Sequence, residues 1–80
     1  MQAAKGQVIA TVEDFLQKGG KLDVSRSTQE GSNEWKIVRH AAKVGLSLHW
    51  LSLKFKINKN TKAYNSLEGA FTKHGGKVNR

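Results

Sequence analysis

Cysteine and proline are both missing from this chain of 80 residues. Without cysteine there is no disulfide framework and no thiolate metal site. Without proline, no helix is interrupted by a residue that lacks its amide hydrogen. No apolar run approaches the roughly 20 residues that span a bilayer. Met1–Gly6 also lacks the apolar core of a secretory signal, so a soluble, cytoplasmic protein with no membrane partner is expected. The remaining scarcity is carboxylate. Residues 35–80 hold ten basic groups and one acid, Glu68, a net of +9. Residues 1–34 hold four basic groups and five acids, a net of −1. A basic block with one carboxylate cannot neutralise itself, and its field passes the Debye length of about 8 Å. An anionic partner follows, nucleic acid ahead of a membrane surface or an acidic protein.

Hydrophobic content of 38% and charged content of 25% belong to a globular chain. A chain this short buries only about 60% of its unfolded surface, so a second subunit would help and a homodimer is one expectation. The residues read as a single domain. A helix with a short strand fills 1–25, a polar loop fills 26–33, and a basic helix-turn-helix-like region fills 34–80.

Val8, Ile9, Val12, Phe15 and Leu16 recur at helical spacing and predict a helix over 7–18, stopped by Gly19-Gly20. Lys21-Leu22-Asp23-Val24-Ser25 alternates as a short strand would. Ser32 or Asn33 can cap a second helix, with Trp35, Val38, Ala41, Ala42 and Gly45 on one face. Residues 46–57 fit either period. As a helix, Leu46, Trp50, Leu53 and Ile57 form one stripe with Leu51 and Phe55 beside it; as a strand, Leu51, Leu53, Phe55 and Ile57 alternate with Ser52, Lys54 and Lys56. A last helix runs from about Asn60 to His74, capped by Asn58 or Asn60 and ended by Gly75-Gly76. Its buried face is Ala63, Tyr64, Leu67, Ala70 and Phe71. Phe15-Leu-Gln-Lys-Gly-Gly and Phe71-Thr-Lys-His-Gly-Gly echo one another, which reads as two similar helix stops.

Two overlapping registers of a helix-turn-helix are present. In the first, Ala41 is the small crossing residue, Gly45 the turn glycine and Leu51 the locking apolar residue. Lys54 then stands where an apolar residue belongs. In the second, Leu51-Ser-Leu-Lys-Phe-Lys-Ile-Asn-Lys-Asn-Thr61 resembles the turn region of small bacterial helix-turn-helix regulators. Lys56 replaces the turn glycine, Lys62 stands at an apolar position, and Ala63 fits if the turn is one residue longer. The resemblance implies a support helix over 34–44, a first motif helix over 47–56 and a recognition helix over 60–74. It places Lys59, Asn60, Thr61, Lys62 and Asn65 toward bases or phosphates, and Lys54 and Lys56 near the backbone. Lys36, Arg39 and Lys43 extend the basic surface, and Lys77 and Arg80 belong to a tail that can reach a neighbouring groove.

The expected fold is therefore mainly α, with short extended segments after the Gly-Gly stops. The expected function is a small nucleic-acid-binding regulator of transcription, on duplex DNA first. The alternative fold is α+β with a small antiparallel sheet, which would bind RNA or single strands by stacking. A basic protein-interaction or inhibitor module is the third class. Trp35 and Trp50 lie on apolar stripes and read as core. His40, His49 and His74 have no cysteine or nearby acid, so neither a metal nor another cofactor is expected. Serines and histidines without an ordering carboxylate give no triad, so no enzyme is expected.

Overall fold

Three hydroxyl side chains decide where three of the four helices begin. The computed structural model describes residues 5–77, and α1 spans Lys5–Gln17, α2 Asn33–Val44, α3 Leu48–Phe55 and α4 Lys62–Lys73. Ser32 Oγ accepts the Trp35 amide at 3.0 Å, Ser47 Oγ that of Trp50 at 3.1 Å, and Thr61 Oγ1 that of Tyr64 at 3.2 Å. Each bond satisfies an amide that the first helical turn leaves without a carbonyl. Thr61 takes the role expected of Asn58 or Asn60, so α4 starts two residues late.

The helices also share one kind of ending. The amides of Gly20, Leu46, Ile57 and Gly76 reach back to the carbonyls of Phe15, Ala41, Ser52 and Phe71 at 2.9–3.0 Å. This six-to-one bond requires a left-handed residue just before the donor. Gly19, Gly45 and Gly75 meet the requirement with φ of 86°, 82° and 92°, and Lys56 meets it with φ of 57°. The Phe15 and Phe71 echo is therefore a repeated helix stop.

α1 packs on α2, α2 on α4, and α4 on α3, while the segment between α1 and α2 packs on both α2 and α4. The Cα radius of gyration, 11.5 Å, matches the ~11.6 Å of a folded domain this long. The core runs from Val8 and Val12 through Ile37, Val38 and Ala41 to Leu48, Leu51, Phe55, Leu67, Ala70 and Phe71. Each large side chain removed from water contributes about 1.5–3 kcal/mol.

No strand occurs among the described residues, which removes the α+β alternative. The 21–25 alternation does not make a strand. Asp23 is extended, but Val24–Thr28 turn into a 3-10 helix because Asp23 Oδ1 accepts both the Ser25 amide at 3.0 Å and its hydroxyl at 2.8 Å. Much of the expected 26–33 loop is likewise wired. Ser27 Oγ donates to the Val24 carbonyl and Ser32 Oγ to the Arg26 carbonyl, each at 2.6 Å. Residues 46–57 do form a helix, but a shorter one with a different buried face. Leu48, Leu51, Ser52 and Phe55 are inside and Leu53 is 61% exposed. Of the Leu46–Trp50–Leu53–Ile57 stripe, Leu46 is buried from the turn before α3, Trp50 and Ile57 are half-buried, and only Leu53 faces out. Likewise α2 buries Glu34, Ile37, Val38 and Ala41 and leaves Trp35 half-buried. The 78–80 tail, Arg80 included, lies outside the described residues. Among those described, no helix is long and apolar enough to cross a membrane.

Candidate nucleic-acid interface

Burial of Leu67, Ala70 and Phe71 fixes the rotation of α4. Helical spacing then turns Lys62, Asn65, Ser66, Gly69, Thr72 and Lys73 outward, and all six are exposed. This stripe has lysines at both ends, small polar residues between them and no carboxylate. Glu68 is half-buried on the flank. Twelve residues make a rod of about 18 Å, and the ~12 Å major groove of B-DNA admits a helix. The turn before α4 carries Lys56, Lys59 and Asn60, all exposed, with Lys59 also lining the groove between α3 and α4. Thr61 is already spent. It caps α4 and donates to the Asn58 carbonyl at 2.8 Å.

The C-terminal end of α4 meets two cations of α2. His74 lies edge-on to the Trp35 ring at 5.2 Å, and the Arg39 guanidinium sits 5.3 Å from that ring's centroid. The His74 imidazole is held below its ordinary pKa, first by burial and then by the positive charges of Arg39, Lys73 and Lys43. Lys43 follows Arg39 by one turn of α2, and Lys73 adjoins His74 at the end of α4. Lys73 escaped the sequence reading. The i, i+4 and i+7 spacing from Lys62 leads through Ser66 and Gly69, and four further places on, to Lys73, and would have found it.

Other basic residues face elsewhere. Lys54 Nζ pairs with Glu13 Oε1 at 3.5 Å and lies 5.7 Å from the Trp50 ring centroid. It ties α3 to α1 and does not join the α4 stripe. Lys36 lines an apolar groove of about 330 Å³ between α1 and α2, beside Val12, Phe15, Ile37 and His40. Lys77 shares a groove of about 700 Å³ between α3 and α4 with His49, Leu53, Lys59, Tyr64 and Glu68. Trp50 is half-buried against the core, and among the described residues no three His, Asp or Glu side chains gather around a common point.

The two registers now separate. Gly45 supplies the left-handed turn, and Ala41 and Leu51 are fully buried, as the first register requires. Its second helix would be α3, whose outer surface presents Leu53 and His49. The second register makes α4 the outward helix, and α4 carries the lysines and Asn65. Neither a family model, nor a curated protein, nor a solved structure matches this chain.

Proposed function

We propose that this chain is a small nucleic-acid-binding protein that lays the outward face of α4 against duplex DNA, as a regulator of transcription would, and has no catalytic role. One observation carries the reading: the Lys62–Asn65–Ser66–Gly69–Lys73 stripe is exposed, cationic at both ends and free of carboxylates. Asn65 has the paired donor and acceptor that adenine matches, and the lysines reach phosphate or guanine. Small residues between them let the helix backbone approach closely. Lys56 and Lys59 extend the surface past one end, Arg39 and Lys43 past the other. A cytoplasmic location goes with this reading. So does a homodimer, in which a second copy would cover the half-exposed Ile9, Phe15 and Leu16 of α1.

The test is fluorescence anisotropy with mixed-sequence duplex DNA, single-stranded DNA and RNA over about 50–300 mM salt. Duplex should bind tightest. Lys62→Ala and Lys73→Ala should each lower the slope of log affinity against log salt by about 0.9, whereas Lys54→Ala, spent on Glu13, should leave it unchanged. Equal and weak binding to all three, gone by about 150 mM salt, defeats the reading. A second reading, a basic module that docks an acidic protein segment, is favoured by exposed Leu53 beside the α3–α4 groove that Lys59 and Lys77 share.

A further inference from the structure

Trp35 stands half-buried where the basic surface crosses from α2 to α4. Arg39 follows it by one helical turn and stacks over its ring at 5.3 Å. His74 meets the same ring at 5.2 Å with planes 84° apart. Lys43 is one turn beyond Arg39, and Lys73 adjoins His74. The ion pairs Lys18–Asp14 and Lys54–Glu13 take in none of these cations. Lysines in a last helical turn are ordinary, because they answer the negative end of the helix dipole. Lys43 and Lys73 stand in such turns, but Arg39 does not. Its guanidinium is held by an aromatic face, which costs it little freedom on meeting a ligand and leaves its N–H edges available.

We propose that Arg39, Lys43, Lys73 and His74 form a binding site for a phosphate group, with Trp35 as the positioning residue that holds Arg39 in place. The guanidinium offers two parallel N–H donors to two phosphate oxygens, a match that a flexible ammonium does not make. The lysines add charge from either side. His74 feels the charges of Arg39 and Lys43 on α2 and of Lys73 on its own helix, so in the empty site it holds its proton less tightly than an ordinary imidazole. An oxyanion offsets those charges and favours the imidazolium. Anion binding therefore takes up a proton at His74 and tightens as pH falls. The phosphate belongs either to a nucleic-acid backbone, in which case the site extends the interface proposed above, or to a free anion. The chemistry at the four side chains is the same.

The experiment follows the His74 ring by NMR across pH in the full chain, in sodium sulfate and in sodium chloride of equal ionic strength. Sulfate keeps its double charge over the range in which phosphate titrates. The His74 midpoint should sit higher in sulfate than in chloride. Arg39→Gln, a change at an exposed position, should lose most of that difference. Trp35→Leu should weaken it although no charge is removed. Equal midpoints in the two salts, or a difference that survives Arg39→Gln, overturns the proposal. A second arm replaces sulfate with a mixed-sequence duplex oligonucleotide. Upward movement with both ligands puts a backbone phosphate in the site, and movement with sulfate alone supports a free-anion site. Duplex bound without any movement of His74 overturns the site as a backbone contact and leaves the α4 interface standing.

Discussion

Lys56 occupies a conformation that the other three helix stops assign to glycine. A left-handed L-residue costs roughly 1–2 kcal/mol, and φ of 57° with ψ of 49° is that conformation. The side chain it places is an exposed ammonium at the N-terminal end of the α4 stripe. Lys56→Gly should raise stability by about 1 kcal/mol, read as a rise in melting temperature of about 4–8 °C, and should weaken duplex binding with a shallower salt slope. A melting temperature that does not rise would contradict the strain argument. His74 supplies a pH effect. Its folded pKa lies below its unfolded value of about 6.5, through burial first and the three cations second. Between the two values the unfolded chain holds more protons, so stability rises with pH across that window. The contribution is complete above about 6.5 and is lost as pH falls through the folded value. Asp23, lowered chiefly by its bonds to the Ser25 side chain and backbone amide, acts with the same sign in stronger acid. Circular-dichroism melts should therefore show stability falling below neutral pH, with a smaller fall in His74→Gln.

Helix ends are where individual elements are most vulnerable. A Cβ on Gly76 would lie 2.4 Å from the Phe71 ring, and that ring is 1% exposed. It has nowhere to move, so Gly76→Ala should cost about 1–3 kcal/mol in chemical denaturation. Gly20→Ala meets the Phe15 carbonyl as well as its ring, both at 2.6 Å, so the backbone itself must shift. At the start of α2, Ser32 both caps the helix and binds the Arg26 carbonyl. Ser32→Ala should cost about 1–2 kcal/mol, and because Ser32 is not on the proposed α4 face, duplex affinity at a temperature where the variant is folded should be unchanged.

Over the whole molecule, the acidic groups of the first half hold structure together. Glu13 pairs with Lys54, Asp14 with Lys18 at 3.0 Å, and Asp23 caps the 3-10 helix. Glu34 is 3% exposed and its Oε2 accepts the Asp23 amide at 3.0 Å. Glu34→Ala should leave that amide without its partner and cost about 1–3 kcal/mol, measurable by urea unfolding. These four carboxylates are thus tied to the α1–α2 half and to α3, and none of these bonds reaches a cation of α4 or of the far end of α2. This segregation is what makes the charge asymmetry a surface property.

Three of the four helices and their glycine stops were legible in the residues themselves, whereas 46–57 fits either period and its Lys56 stop has no glycine to mark it. Capping hydroxyls, Gly-Gly pairs and apolar spacing act over at most six positions, a range that a linear pattern records. The basic half and its sign were legible for the same reason, because charge adds without regard to folding. The strand at 21–25 was misread because Asp23 bonds to its own neighbour and bends the chain. The α2 face was legible in Val38 and Ala41 but not in Glu34 and Ile37, and the α3 face in Leu51 and Phe55 but not in Leu48 and Ser52, because packing against neighbouring helices sets each helix's rotation. The final sorting of the cations had no local signal. Lys54 met Glu13, Lys36 and Lys77 lined grooves, and Arg39 and His74 met at the Trp35 ring. Contacts between residues far apart in sequence depend on how four helices pack together. The sequence by itself determined the helices and the excess of positive charge. Packing alone decided which of those charges share a surface.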